Sequence, residues 1–130
     1  KGEFDPGLTL EQLAKILTEV HNLKTTVNYV ENFDKNSLNN FRKIVMKITR
    51  DQDKFLLVNF DGKILGNKTN GHISPLVAYD KNSDSVLIMD VALHKNQWFW
   101  TPLPQLYQAM NSKDGEQYRG FLIIETAKIL

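Results

Sequence analysis

The apolar positions in the first half of the chain predict two amphipathic helices. Leucine, isoleucine and valine recur at helical spacing over Leu10–His21, directly after Thr9–Gln12, which has the form of a capping box. The same spacing returns over Leu38–Ile48, and either Asn36 or Ser37 is the expected N-cap of this second helix. Each helix should bury one face against a sheet.

Short apolar runs predict the strands. Lys24–Val30 and Phe55–Phe60 follow the two helices, and both are rich in β-branched or aromatic residues. Ile73–Tyr79 and Ser85–Ala92 are separated by the turn-forming cluster Lys81–Asp84, which is the pattern of a β-hairpin. The centre of the sequence should therefore fold as an antiparallel pair.

The remaining segments continue this alternation of sheet and connection. Leu93–Thr101 is expected to be a loop heavy in aromatic residues, and Leu103–Met110 a short helix with Pro102 in its first turn. Asn111–Gln117 is predicted to be a polar loop before a last strand at Arg119–Ile124. The fold class is α+β: a mostly antiparallel sheet with two N-terminal helices and one inserted short helix, in a single domain or fragment over residues 1–130.

Composition narrows the possible functions. The 130 residues are 42% hydrophobic and 24% charged, with a net charge of +1 and no cysteine. This balance is typical of a globular domain and predicts neither a nucleic-acid partner nor a membrane partner. The lack of cysteine excludes a thiolate zinc site and a cysteine nucleophile within these residues. It leaves the cellular compartment open, although a cytoplasmic location is favoured.

The predicted hairpin places His72 near Asp90 on neighbouring strands. With the turn centred near Asn82, the two residues lie opposite or diagonal, with Cβ atoms roughly 5–8 Å apart. An aspartate that interrupts an apolar strand needs a partner, and an imidazole held by a carboxylate can act as a general base. Adding His94 would make a metal site on residue type alone, but its loop position disfavours this, and no metal site is predicted.

Aromatic residues cluster after the hairpin. Trp98, Phe99 and Trp100 are expected to pack in the core or in a lid more often than to form a ligand platform.

Several motifs together resemble the phytochelatin synthase family, whose catalytic domain has a papain-like cysteine peptidase fold (clan CA). The resemblance is strongest in the second half of the chain and looser in the first half, where Gly7–Leu10 and Phe41–Lys43 carry it, and it suggests a bacterial-type member. The second-half residues that carry it are Gly71–Pro75, Tyr79, Leu87–Ala92, Lys95, Trp100, Ala109–Met110 and Arg119–Phe121.

The resemblance implies roles for particular residues. His72 falls on the general base and Asp90 on the residue that orients it. Asp114 and Arg119 fall on residues that recognise the γ-glutamyl end of glutathione, a pairing that suits its ammonium and carboxylate groups. Gly71 and Ile73, which flank the histidine, are expected at the substrate.

The implied activity is that of a glutathione γ-glutamylcysteinyltransferase, acting through a γ-Glu-Cys thioester. In the family the nucleophilic cysteine lies in an N-terminal helical half, so this chain alone should be inactive. Family members commonly carry an arginine and a pair of prolines where this chain has Leu93 and Gln97–Phe99. Whether transpeptidation or hydrolysis of glutathione dominates therefore stays open.

The expected partners are glutathione, γ-Glu-Cys peptides, a cysteine-bearing segment or chain of the same enzyme, and a second copy in a homodimer. No intrinsic cofactor is expected, because soft ions such as cadmium or zinc can act through the thiolate of the glutathione substrate. Two alternatives remain. The chain could be a non-catalytic thiol-peptide binding module or regulatory subunit, or one fragment of a cleaved or two-chain enzyme.

Overall fold

The computed structural model describes residues 8–65, 72–90 and 97–126, except for the side chains of His72 and Gln97. Within these residues the chain forms three helices and eight strands, in an α+β arrangement that confirms the predicted class. The elements are α1 (Leu10–Glu19), β1 (Lys24–Tyr29), α2 (Lys35–Ile48), β2 (Lys54–Phe60), β3 (His72–Asp80), β4 (Ser85–Asp90), β5 (Gln97–Pro102), α3 (Leu103–Met110), β6 (Lys113–Asp114), β7 (Gln117–Tyr118) and β8 (Gly120–Glu125).

Six strands form one antiparallel sheet in the order β1-β8-β2-β3-β4-β5, and β6 pairs with β7 as a separate small hairpin. The last strand of the chain therefore lies between the first two. Close approach of β1 to β8 requires glycine at position 120, because a Cβ there would overlap the carbonyl oxygen of Asn28.

Helix α1 covers one face of the sheet near β1 and β8. The predicted capping box is confirmed: the Thr9 hydroxyl accepts from the backbone N–H of Gln12, whose side chain accepts from the N–H of Thr9. The helix buries a small cluster formed by Leu10, Ala14, Leu122 and Ile124.

Helices α2 and α3 cover the opposite face, where the main core lies. Its fully buried members alternate along the strands, as expected for a sheet with one packed face. The strand members include Leu56, Val58, Phe60, Leu76, Val86 and Ile88. Helices α2 and α3 add Phe41, Val45, Leu103, Leu106 and Met110. Among the described residues no helix is long and apolar enough to cross a membrane.

The predicted helix starts need two corrections. Asp34 caps α2, because its carboxylate accepts from the backbone N–H of Ser37; Asn36 and Ser37 are already inside the helix. Helix α3 begins at Leu103, so Pro102 precedes the first turn and Pro104 lies within it. The N-cap of α2 thus lies two or three residues before the predicted position, whereas α3 has the predicted bounds Leu103–Met110.

Two predicted loops contain strands. Part of the aromatic segment is β5, in which Phe99 turns toward the core while Trp98 and Trp100 are more than half exposed on the other face. Because residues on both faces are aromatic, the alternation of apolar and polar positions that marks a strand is absent. The polar segment after α3 holds the β6–β7 hairpin, whose strands of two residues each leave no hydrophobic signal.

Candidate active site

The hairpin predicted to carry the catalytic pair is present as β3 and β4. Leu76 lies opposite Ile88, and after a β-bulge Tyr79 lies opposite Val86 and Asp80 opposite Ser85. The paired residue numbers thus sum to 164 or 165, which is the register expected from the sequence.

A polar cluster holds the turn of this hairpin against α2. The Arg42 guanidinium donates through Nε and Nη2 to the two carboxylate oxygens of Asp84, at 2.9 and 2.8 Å, and the Tyr79 hydroxyl donates to the same carboxylate at 2.7 Å. Asp84 has φ of 51°, a conformation that aspartate tolerates better than most residues. The bidentate pair therefore fixes both ends of the turn to a helix.

The same contacts set the ionisation of the cluster. The hydrogen bonds from Arg42 lower the pKa of Asp84 below its ordinary value, against the opposing effect of burial. Burial and the hydrogen bond to Asp84 raise the pKa of Tyr79. The cluster is therefore a carboxylate, a guanidinium and a neutral phenol at neutral pH.

Asp90 ends β4 on the packed face of the sheet. It is 7% exposed and has the same strand parity as Val86 and Ile88, both fully buried, and Gln97 of β5 is its partner in the register. A carboxylate at this depth is strongly favoured to accept hydrogen bonds from neighbouring donors. Asp90 thus lies where the apolar core meets the end of the hairpin.

His72 is the first residue of β3, and its backbone pairs with Phe60 of β2. The pairing of β3 with β4 extends as far as Leu76 and Ile88; carried two residues further, the same register would bring Ser74 opposite Asp90, with His72 one diagonal step beyond. The side chain of His72 and the whole of Gly71 lie outside the described residues. A contact between His72 and Asp90 therefore stays a prediction.

Ile73 lies on the other face of the sheet. Its side chain is half-buried against the cluster that α1 covers, on the side away from Ser74 and Asp90. A contact of Ile73 with a substrate bound near Asp90 would therefore have to come from its backbone.

Arg119 connects the small hairpin to β8 and is nine-tenths buried. Its Nη1 donates to the Ser112 hydroxyl and to the Lys113 carbonyl, both at 3.0 Å. Its backbone bridges the two parts of the fold as well, because its N–H donates to Ser112 and its carbonyl accepts from Val30. The arginine therefore holds the β6–β7 hairpin on the sheet.

One edge of the Arg119 guanidinium is not used in this way. The buried Nε has no hydrogen-bond partner among the described residues. The two hydrogen bonds that the guanidinium donates to described residues both come from Nη1. Asp114 is exposed on β6, and within the described part of the chain no ion pair joins it to Arg119. The two residues belong to one small unit, but they are not paired directly.

Ser74 is a buried polar residue that the sequence reasoning missed. It is fully buried on the packed face, and its Oγ has no hydrogen-bond partner among the described residues. The sequence did contain an indication of its burial: Ser74 is two residues from Leu76 on the same strand, so the two side chains share the packed face.

The described residues contain no group of three or more histidine, cysteine, aspartate or glutamate side chains placed to hold a metal ion. His94 lies outside the described residues, so the disfavoured metal site of His72, Asp90 and His94 is not tested by this structure.

Comparison with known proteins places the chain in a family. A model of the family described as phytochelatin synthase matches residues 4–121. Similar proteins include a glutathione gamma-glutamylcysteinyltransferase of Schizosaccharomyces pombe, 30% identical over 125 residues, which are 95% of this chain and 29% of that protein. Glutathione gamma-glutamylcysteinyltransferase 3 of Lotus japonicus is 36% identical over 105 residues, 77% of this chain and 22% of that protein.

Glutathione gamma-glutamylcysteinyltransferase 1 of Arabidopsis thaliana is 33% identical over 90 residues, 68% of this chain and 19% of that protein. The chain thus spans less than a third of the length of these relatives. The extent of the family match, over most of this chain, and the identity to the yeast protein lead to one conclusion: the chain belongs to the phytochelatin synthase family.

Proposed function

We propose that this chain supplies the general base and substrate-binding groups of a glutathione γ-glutamylcysteinyltransferase, while a cysteine outside it supplies the nucleophile. The observation that carries the proposal is the register of β3 and β4. Carried past Leu76 and Ile88, that register would bring the buried Asp90, at an end of the packed face, within one diagonal step of the backbone position of His72. The similar proteins named above bear this activity in their names.

The first half of the proposed reaction cleaves glutathione. His72 takes the proton of the cysteine thiol, and the thiolate adds to the carbonyl carbon of the Cys–Gly peptide bond. The C–N bond then breaks, and the imidazolium gives its proton to the departing amine of glycine. A γ-Glu-Cys thioester on the enzyme cysteine remains, and Asp90 keeps the imidazole in the tautomer that both proton transfers need.

The second half transfers the acyl group. The α-amino group of a second glutathione attacks the thioester carbonyl, His72 removes its proton, and the enzyme thiol is released with a longer peptide. If water attacks instead, the products are γ-Glu-Cys and the free enzyme. Both outcomes use the same base, so the residues of this chain do not by themselves select between them.

Recognition of the γ-glutamyl end is assigned to Arg119 and Asp114. The described residues make no hydrogen bond to Nε of Arg119, and in this same structure Arg42 binds Asp84 through its Nε and Nη2. A carboxylate docked there would supply the acceptor that Nε lacks among the described residues. The exposed carboxylate of Asp114, on the hairpin that Arg119 anchors, suits the α-ammonium group of the substrate.

Heavy-metal ions enter this proposal as part of the substrate. Glutathione thiolates bind soft ions such as cadmium directly, so the metal would reach the site on the peptide. The partner required is the segment or chain that bears the cysteine.

Asp90→Asn in the complete enzyme tests the catalytic pair. The substitution keeps the shape of the side chain but favours the wrong imidazole tautomer, so the rate of glycine release should fall by about 10⁴, the loss seen for the corresponding change in serine proteases. Circular dichroism would verify folding. An unchanged rate in a folded variant would remove Asp90 from the site.

A comparison of substrates tests the γ-glutamyl clamp. 4-Aminobutyryl-Cys-Gly lacks the α-carboxylate of glutathione, and glutaryl-Cys-Gly lacks its α-ammonium. Arg119→Lys keeps the positive charge but loses the bidentate fork, so it should lower kcat/KM for glutathione and for the glutaryl analogue and have little effect on the aminobutyryl analogue. Arg119→Ala should show the same selectivity with a loss equivalent to about 2–5 kcal/mol.

Asp114→Asn is the matched comparison. It should lower kcat/KM for glutathione and the aminobutyryl analogue and spare the glutaryl analogue. Because Arg119 also anchors the hairpin, damage to the fold would lower activity on all three substrates equally. Equal losses would therefore withdraw the substrate role of Arg119 and leave only its structural role.

A second candidate function is a non-catalytic module that binds thiol peptides. The observation in its favour is that none of the 130 residues is cysteine. Adding a separately produced cysteine-bearing helical half distinguishes the two: release of glycine supports the enzyme, whereas binding of glutathione without cleavage supports the module.

A further inference from the structure

The packed face of the sheet changes character at one end. Leu76, Ile88 and Phe99 form an apolar row across β3, β4 and β5. In the next row Asp90 of β4 pairs with Gln97 of β5, and the β3–β4 register carried two residues past Leu76 and Ile88 would add Ser74, beside the backbone position of His72. Polar residue types are thus concentrated in the row beside the proposed base.

Ser74 is the member of that row with no assigned role. Its side chain is fully buried, and its hydroxyl oxygen has no partner among the described residues. Val58 lies beside it on β2, and an apolar residue at position 74 would suit that environment better than a hydroxyl. A buried hydroxyl of this kind calls for a physical explanation.

The register provides one. Residues directly opposite on antiparallel strands have Cβ atoms about 4.5–5.5 Å apart, a separation at which one water can join a hydroxyl to a carboxylate. A carboxylate can accept about four hydrogen bonds, so Asp90 can hold an imidazole and still accept from a second donor. That second donor would restrict rotation of the carboxylate.

We infer that Ser74 is a positioning residue for the catalytic pair. Its hydroxyl donates to the Asp90 carboxylate through one water and keeps that carboxylate oriented toward His72. This inference rests on the proposed function, because it assumes that Asp90 holds His72. Ser74 does not itself touch the substrate; it acts through Asp90.

The test measures His72 in the 130-residue chain, which needs no cysteine. Imidazole ¹⁵N chemical shifts followed over pH give the pKa and the tautomer of each histidine, and His72→Ala identifies the signal of His72. Asp90→Asn should lower the pKa of His72 and change its tautomer ratio. Ser74→Ala should change both in the same direction by a smaller amount, and Ser74→Thr, which keeps a hydroxyl, should restore most of the parent values.

Other groups on this side of the sheet are common to all the variants. The described titratable or charged ones include Arg119, which has the strand parity of Phe121, the charged residues of α2, Asp61, Tyr107 on α3, and the Arg42–Asp84–Tyr79 cluster at the far end of the hairpin. Their effect on His72 therefore cancels in the comparison.

Thr101→Val is the matched control. Thr101 is also buried on the packed face, but it lies two rows from Asp90, so removing its hydroxyl should leave His72 unchanged. If the alanine variant does not fold, Ser74→Val removes the hydroxyl while keeping a side chain suited to a strand.

The outcomes separate the two proposals. If Asp90→Asn changes His72 but a folded variant without the Ser74 hydroxyl matches the parent, the role of Ser74 is wrong and the pair stands. If Asp90→Asn itself leaves His72 unchanged, the pair of His72 and Asp90 is refuted, and the role of Ser74 falls with it. An equal change in Thr101→Val would show that any buried hydroxyl on this face has the effect, and would also overturn the inference.

Discussion

The Arg42–Asp84 pair should contribute measurably to the stability of the hairpin that carries Asp90. The perturbation is a double-mutant cycle of Arg42→Met and Asp84→Asn. Methionine keeps much of the apolar stem of arginine, and asparagine tolerates the positive φ of residue 84, so both changes remove charge with little effect on the backbone. The coupling free energy of the cycle isolates the pair from its other contacts.

The magnitude follows from geometry and exposure. Two charge-assisted hydrogen bonds at 2.9 and 2.8 Å join the side chains, which are 25% exposed for Arg42 and 34% for Asp84. Hydrogen bonds to charged groups contribute about 1.5–3 kcal/mol, whereas exposed ion pairs contribute about 0.2–1 kcal/mol. For a bidentate but partly solvated pair we expect a coupling of about 1–2 kcal/mol, or about 3–8 °C in Tm.

The assay is urea unfolding of the four variants, followed by circular dichroism. Glu125→Gln is a matched control. Glu125 has a similar exposure of 36%, but its ion pairs with Lys54 and Lys24 are longer, at 3.4 and 3.8 Å, and are therefore expected to be weaker. That change should cost less than about 0.5 kcal/mol. A coupling between Arg42 and Asp84 no larger than this control effect would refute the reasoning.

The pair also predicts a pH dependence of stability. The pKa of Asp84 in the folded state lies below its ordinary value of 3.8, so its contribution is fully present above that value and is lost as the pH falls through the folded-state pKa. Asp84→Asn should therefore be destabilised most at neutral pH, and its difference from the parent should shrink in acid. A difference that stays constant down to about pH 2 would contradict this linkage.

Two further predictions concern the fold and the activity of the chain alone. Gly120→Ala should destabilise the fold severely, because the added Cβ would overlap the backbone of Asn28. Gly115→Ala should cost only about 1–2 kcal/mol, since its Cβ meets open space and only the φ of 74° opposes the substitution. Similar unfolding midpoints for the two variants would contradict the close approach of β1 and β8. The purified 130 residues should release no glycine from glutathione, since they contain no thiol nucleophile, and mass spectrometry would detect any γ-Glu-Cys formed. Cleavage by this chain that His72→Ala abolishes would prove the second prediction wrong.

The sequence determined the elements whose signals are local. The capping box at Thr9 and the helical spacing of apolar residues define α1 and α2, because both signals act within one or two helical turns. The hairpin of β3 and β4 was likewise predictable, since a four-residue turn between two apolar runs fixes its register. The proximity of His72 and Asp90, which follows from carrying this register past Leu76 and Ile88, stays a prediction.

Only the tertiary structure decided the features that depend on distant partners. β8 lies between β1 and β2, and no local pattern indicates these pairings, because the partner residues are 91–101 positions apart for β1 and 63–71 for β2. β5 is a strand because β4 pairs with it, although its aromatic sequence shows no alternation. Asp34 is the N-cap of α2, because its carboxylate accepts from the free N–H of Ser37. The path of the backbone decides which side chain reaches that N–H, and the residue preferences of the sequence alone do not.

The site divides in the same way. The roles of His72, Asp90 and Arg119 were suggested by the family resemblance, and the residue types suit them, because a carboxylate can orient an imidazole and a guanidinium can bind a carboxylate with two hydrogen bonds. The sequence could not show that Arg119 anchors a small hairpin with Nη1 and leaves Nε without an acceptor among the described residues. Nor could it show that the Ser74 hydroxyl is fully enclosed, because burial is set by the elements that pack around a strand and not by the strand itself.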